Sequence, residues 1–317
     1  MRVVIALGGN AMTSPDGDAR PEDQIAAIRR AAVPIAEVIA SGAEVVLTHG
    51  NGPQVGNLLV KNEMAANVVP PVPLDWCGAQ TQGTVGFVLL NSIEAELAAR
   101  GLTRPAAALV TRALVDAHDP GFVNPAKPVG RYLPAAEAAA MIQHGQHWED
   151  RGARGWRRVV ASPEPRAILD AAAVHTLLGA GYVVVCNGGG GVPVVRNADG
   201  RLRGVEAVID KDLGAAMLAR ALGADTLVIA TDVEAAVVGW GTAAARPLGT
   251  VGVAQLRRLA AEGHFASGSM GPKVEAACRF AENGGRSVIT SLEHIADAVH
   301  SAVGTVVQPI CEDLPRL

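Results

Sequence analysis

Short runs of β-branched and other apolar residues alternate along the chain with longer Ala-rich stretches whose apolar positions recur at helical spacing. The apolar runs at residues 3–7, 44–48, 106–110, 182–186, 226–230 and 286–289 predict strands. Helical periodicity predicts helices over 23–40, 56–66, 84–99, 165–180, 210–222, 253–262 and 271–283. Strand and helix in alternation predict a mainly parallel sheet with covering helices, an α/β fold. Because the strands are continuously apolar rather than alternating, both faces of that sheet should be covered.

Two stretches break the rhythm. Residues 116–162 are rich in Pro, Gly, His, Trp and Arg, with one short helical piece near 135–144. So long a stretch without regular alternation is either a functional insertion, such as a lid, or disordered. Trp148 and Trp156 argue for an ordered insertion, and the arginines of 151–158 read as its solvated face. At 192–203 the turn residues Asn197-Ala198-Asp199-Gly200, set between extended pieces, predict a β-hairpin. A division into two lobes falls near 204–207.

Composition narrows the function. A chain of 317 residues, 49% apolar, can bury one large core or two lobes. Only 3% of residues are aromatic and the net charge is −4, which argues against a nucleic-acid surface. Cys77, Cys186, Cys278 and Cys311 form no CxxC pair and no zinc spacing, so they read as reduced thiols. The apolar start breaks at Gly8-Gly9-Asn10, too soon for a signal-peptide core, and no apolar run reaches membrane-spanning length. The expectation is a cytoplasmic protein with no membrane partner.

Candidate chemistry sits in glycine-rich turns that follow strands: Leu7-Gly8-Gly9-Asn10, His49-Gly50-Asn51-Gly52-Pro53, and Asn187-Gly188-Gly189-Gly190-Gly191. In an open α/β sheet, ligands bind beyond the carboxyl ends of strands, and glycine lets backbone N–H groups approach an anion. None of the turns fits a P-loop or a dinucleotide fingerprint.

Two lysines add to this picture. Asp210-Lys211-Asp212 opens a helix, where Asp210 can cap exposed N–H groups. Read singly, Lys211 is an ordinary first-turn lysine. Gly268-Ser269-Met270-Gly271-Pro272-Lys273 opens another helix, with Pro272 suited to its first turn. A cation there opposes the helix dipole and makes better sense with an anion beside it. Phosphoryl transfer accounts for the set, since it needs positioning and charge neutralisation more than covalent chemistry. Asp212 is placed to hold a lysine in register. Mg²⁺ binds through few protein oxygens, so it needs no acidic cluster.

The stretches His49-Gly50-Asn51-Gly52-Pro53-Gln54-Val55-Gly56, Pro73-Leu74-Asp75, Cys77-Gly78-Ala79, Gln82-Gly83, Asn124-Pro125 with Lys127-Pro128, Gly188 to Gly191, Val208-Ile209-Asp210-Lys211-Asp212, and Gly268 to Glu275 resemble the carbamate kinases of the amino acid kinase superfamily. The resemblance runs in order along nearly the whole chain. It implies an open αβα sandwich with a protruding lid subdomain, usually a homodimer, using MgATP and carbamate to make ADP and carbamoyl phosphate, with a place in arginine metabolism. It further implies an acceptor-binding lobe at 1–206, with the lid insertion at 116–162, and a nucleotide-binding lobe at 207–317. By the same resemblance Lys127, Lys211, Lys273, Asp210 and Asp212 are catalytic. Gly8, Gly9, Asn10, Gly50, Asn51 and Gly52 line the acceptor and transferring group. Gly189, Gly190, Asp212, Thr231, Asp232, Met270, Gly271 and Lys273 meet the nucleotide, and no protein metal site is implied.

The chain departs from the family pattern in places. After Asp232 it reads Glu234-Ala235-Ala236-Val237, where the family commonly has Gly and a Val-Tyr pair, which leaves Trp240 as the nearby aromatic residue. Ala126 replaces a usual Thr, Arg131 a frequent Pro, and Leu90-Asn91 a pair of glutamines. Alternative readings are a kinase of another small acid, or a catalytically weak nucleotide- or metabolite-binding regulator. His49 reads as structural, because a carbamate oxygen already carries charge. Asp75 and Gln82 read as residues that hold loops or line a subunit interface.

Overall fold

The structure, a computed structural model, describes residues 1–9, 20–266 and 269–309. Its frame is an eight-stranded sheet in the order Thr250–Gly252, Thr305–Gln308, Arg286–Ser291, Thr226–Thr231, Arg2–Leu7, Glu44–His49, Val183–Val185, Ala106–Ala108. The six strands from Arg286–Ser291 to Ala106–Ala108 are parallel, and Thr305–Gln308 turns antiparallel to its neighbour.

The apolar runs divide by strand pleat. Val4, Ala6 and Val46 enter one core cluster, while Val3, Ile5, Leu7, Val45 and Leu47 enter another on the opposite face. The first face is covered by helices that include Lys211–Ala221 and Met270–Ala281, the second by Pro21–Ala40 and Leu74–Ala99. Each fully buried Ile or Leu contributes roughly 1.5–3 kcal/mol. The sheet is therefore double-sided, which is what continuous apolar strands require.

Register places the site. Leu7 pairs with His49 on one side and with Ala230 on the other, and Leu47 pairs with Val185. Four adjacent parallel strands thus end at nearly one level, and their following loops converge on one edge of the sheet.

Smaller sheets flank this frame. Val192–Arg196 and Leu202–Gly204 form the antiparallel hairpin the turn residues predict, extended by Arg112–Val115 and Pro165–Ile168. Here the prediction of a helix over 165–180 gives way: the helix is Ala171–Gly179, and Pro165 to Ile168 form an edge strand. A proline lacks the ladder donor and suits an edge. The helix expected over 56–66 is Gly52–Ala65, with Pro53 in its first turn. The one expected over 84–99 begins ten residues earlier, as Leu74–Ala99, burying Leu74, Cys77, Thr81 and Gln82.

Within 116–162, Lys127–Leu133, Trp156–Val160 and His147–Asp150 make a three-stranded antiparallel sheet, with helix Ala135–Gln143 beside it. Leu133, Ala138 and Trp148 form its own small core. Its base packs through Val129 and Val160 on Val55, Leu59, Leu74 and Cys77. Arg131 pairs with Glu63 at 3.1 Å. The nearby arginines are not simply solvated: Arg157 lies over the Tyr132 ring at 5.0 Å and Arg158 reaches toward Glu206.

Candidate active site

The cleft at the carboxyl edge of the sheet is lined by Gly8, Gly9, Gly50, Asn51, Gly52, Lys127, Gly189, Asp210, Lys211, Asp212, Thr231, Asp232 and Lys273 among the residues singled out from sequence. Pro53, Val55, Pro128, Val129, Val208, Ile209, Ser269 and Pro272 complete its wall. Val55, Pro128, Val208, Ile209 and Ser269 lie within stretches that carry the family resemblance but had no role assigned from sequence, and Val129 carries no signal of its own.

Close approach of backbones builds the floor. The Gly50 N–H donates to the Leu7 carbonyl at 2.9 Å. A Cβ on Gly50 would stand 2.7 Å from the Gly9 nitrogen, 2.8 Å from its Cα and 3.1 Å from Lys211 Cδ. Only glycine fits there, because two loops and the stem of a lysine share the space.

The charged groups form a chain across the floor. Asp210 is the N-cap of helix Lys211–Ala221, its Oδ1 accepting from the Asp212 and Leu213 N–H groups. Its Oδ2 accepts from Lys127 Nζ at 2.6 Å, tying the three-stranded sheet to the cleft floor. Asp212 is buried and takes one lysine on each oxygen, Lys211 at 2.5 Å and Lys273 at 3.0 Å.

Burial alone would raise the Asp212 carboxyl, but the charges of Lys211 and Lys273 override it and hold it below the usual carboxylate range. Burial pulls the Lys211 ammonium down, Asp212 opposes that, and the like charge of Lys273 adds to the lowering. One carboxylate thus keeps two cations close together in a low-dielectric pocket. Such a group is suited to hold the spreading negative charge of a transferring phosphoryl.

His49 does not join this work. It is buried, its Nδ1–H donates to the Gly50 carbonyl at 2.8 Å, and burial lowers its pKa to about 4. It is neutral at neutral pH and packs against Gly188, where a Cβ would lie 2.4 Å from its ring. Its structural reading agrees with this placement.

Other residues singled out from sequence stand behind the cleft. A Cβ on Gly190 would meet Ile209 Cβ at 2.8 Å, so this glycine serves helix-to-turn packing. Met270 is partly buried against the core, and a Cβ on Gly271 would approach the Ala266 carbonyl at 3.1 Å. Asn10 lies outside the described residues. Ala236 is fully buried between Thr305 and Leu248, and Trp240, 71% exposed in the following turn, does not line the cleft.

An open α/β sheet with glycine loops and lysines gathered at the carboxyl ends of its strands defines a small-molecule kinase. Comparison with known proteins makes the class specific. The family model described as "Amino acid kinase family" matches residues 1–291. The carbamate kinase of Thermococcus kodakarensis is 46% identical over 313 residues, covering 96% of this chain and 98% of that protein. That of Pyrococcus furiosus is 45% identical, covering 97% and 99%. A solved carbamate kinase from Giardia lamblia bound to AMP-PNP superposes with a TM-score of 0.91 at 39% identity, covering 97% of this chain and 98% of that one. The chain belongs to the amino acid kinase family, and within it to the carbamate kinases.

Proposed function

We propose that the protein is a carbamate kinase, moving a phosphoryl group reversibly between ATP and carbamate, with ADP and carbamoyl phosphate as the other pair. The observation that carries this reading is the buried Lys211–Asp212–Lys273 group at the meeting point of the glycine loops. A carbamate oxygen, already anionic, attacks the γ-phosphorus as the bond from phosphorus to the ADP oxygen breaks. No proton has to be removed, which fits a neutral, packed His49.

Lys211 and Lys273 neutralise charge on the transferring group, and Asp212 keeps them in register. Gly8, Gly9, Gly50, Asn51 and Gly52 serve the acceptor side, and Lys127 covers it from the lid. Gly189, Thr231 and Asp232 serve the nucleotide side with Lys273, while Gly190, Met270 and Gly271 support it from behind. Residues 1–206 then form the acceptor-binding lobe and 207–317 the nucleotide-binding lobe. Val55, Val129, Val208 and Ile209 make one wall of the cleft apolar, which favours a small acceptor without a polar tail on that side.

Mg²⁺ fits this cleft as an ion carried by the nucleotide. Both Asp212 oxygens face lysines, and those of Asp210 face Lys127 and backbone N–H groups. Among the described residues of the cleft, Asp232, which accepts from the Thr231 hydroxyl at 2.9 Å, is the carboxylate left to meet such an ion alongside phosphate oxygens and water. When bound, the metal supplies further charge neutralisation.

A homodimer is part of the same reading. Trp76 and Phe87, 61% and 62% exposed, fall eleven positions apart on one stripe of helix Leu74–Ala99. A cytoplasmic location accords with buried free thiols at Cys77, Cys186 and Cys278, and no helix among the described residues is long and apolar enough to cross a membrane.

The test is ATP formation from ADP, Mg²⁺ and carbamoyl phosphate, run beside acetyl phosphate. ATP mainly from carbamoyl phosphate supports the proposal. ATP only from the other acyl phosphate makes the protein a kinase of another small acid, and none from either rejects the kinase reading.

A further inference from the structure

Gln82 is buried, 3% exposed, on the inner face of helix Leu74–Ala99, and does not line the cleft. Its carboxamide is nevertheless fully engaged. Oε1 accepts from the Thr111 N–H at 2.7 Å, while Nε2 donates to the Thr111 carbonyl at 3.2 Å and to the Gly188 carbonyl at 2.8 Å. One side chain therefore grips both backbone polar groups of Thr111 and the first glycine of the loop.

Thr111 extends the grip, since its hydroxyl oxygen accepts from the Asn187 N–H at 2.6 Å. Asn187 has φ +53°, the left-handed value from which the glycine turn starts. The Asn187 carboxamide itself makes no hydrogen bond, so the turn is not held by its own leading side chain. Gln82 and Thr111 supply what it lacks.

The turn in turn bears on the site from two sides. A Cβ on Gly189 would stand 2.2 Å from Asn51 Nδ2, and Asn51 Nδ2 donates to the hydroxyl of Thr81, the residue before Gln82. Gly190 lies under Ile209 and the Asp210 carbonyl, and a Cβ on Gly214 of the Lys211 helix would stand 2.9 Å from Gly190 Cα. Displacing the turn by even a few tenths of an ångström must push Asn51 or the start of the lysine-bearing helix.

We infer that Gln82 is a positioning residue for phosphoryl transfer: through its three hydrogen bonds it fixes the height of the Gly188–Gly190 turn, and through the turn the placement of Asn51 and Lys211. This rests on the kinase reading of the cleft. Gln82→Leu keeps the volume and removes every hydrogen bond. Gln82→Glu keeps the acceptor and, when its carboxyl is protonated, one donor.

The test pairs two readouts on purified full-length protein. The first is amide hydrogen exchange at residues 187–191 without ligand, which needs no activity. Gln82→Leu should speed it about tenfold, as expected for lost buried hydrogen bonds. The second is steady-state kinetics with ADP and carbamoyl phosphate. Gln82→Leu should lower kcat about tenfold or more, with KM values changed less than about threefold. In Gln82→Glu, kcat should recover as pH falls and the buried carboxyl gains its proton, a limb absent from the wild type.

Unchanged exchange in Gln82→Leu, a kcat within about twofold of wild type, or a loss that tracks only the folded fraction would overturn the inference. An inactive wild type would sink the kinase reading instead, and exchange would still report on the turn.

Discussion

Asp212 and Lys273 lie 61 positions apart on different helices, yet their side chains meet at 3.0 Å in a buried contact. Lys211 takes the other oxygen of the same carboxylate. Removing the shared anion leaves two ammonium groups buried and facing one another. Asp212→Asn should cost about 3 kcal/mol or more of stability, seen as a lower Tm, and should abolish most turnover. A variant as stable and active as wild type would mean that the bridge is incidental.

Alkaline pH separates activity from stability. Burial lowers the Lys211 pKa from its ordinary 10.5, so the folded chain releases this proton first. Between the folded value and 10.5 the unfolded chain binds more protons, and the contribution of this group to stability rises with pH. The kcat/KM for carbamoyl phosphate, which reports the ligand-free enzyme and needs the ammonium, should fall over the same window. A kcat/KM profile flat up to pH 10.5 would contradict this.

Acid acts through Asp212 with the opposite sign. Its folded value is depressed below 3.8, so its contribution is complete above that pH and is lost as pH falls through the folded value. In urea titrations Asp212→Asn should flatten the acid limb of stability below pH 3.8, and an unchanged limb would remove Asp212 from that role.

At Gly50 the added methyl of Gly50→Ala meets the Gly9 backbone at 2.7 Å, where no flexible side chain can yield. Overpacking of this kind costs roughly 1–3 kcal/mol. The shifted floor should also lower turnover by at least about tenfold, since a small misplacement is expensive in phosphoryl transfer. Kinetics and thermal unfolding of the purified variant decide the matter together.

Lys127, on the three-stranded sheet proposed as a lid, reaches Asp210 at 2.6 Å. Proteolysis within 116–162 should slow when nucleotide and an acceptor analogue are both bound, and Lys127→Ala should lose most of that protection. Equal cleavage rates with and without ligands would argue that the lid does not close on them.

Much of this was legible in the sequence because it was local. Apolar runs marked the six parallel strands, and glycines after them marked the loops that line the cleft. The turn at Asn197 to Gly200 marked the hairpin. What stayed hidden depended on partners far along the chain. Pro165 to Ile168 is a strand only because Arg112–Val115 pairs with it, and four residues show no period. Thr250–Gly252 and Thr305–Gln308 were too short to register in the same way. The start of helix Leu74–Ala99 was masked by Gly78 and Gly83, weak helix formers that its buried face outweighs. In the site, Lys211 read singly was an ordinary first-turn lysine and gained meaning only beside the glycine loops and Lys273, and their common anchor on Asp212 needed the two helices side by side. Val129 looked like any core residue, and Val55 and Val208 had no role of their own within their motifs.

Turnover of ADP and carbamoyl phosphate by wild type, Lys211→Ala and Lys273→Ala tests the central claim most directly. The wild type should make ATP, and each variant should lose about 100-fold or more in kcat while keeping its circular dichroism spectrum. A folded wild type that makes no ATP, or either variant turning over within a few-fold of it, would contradict the account.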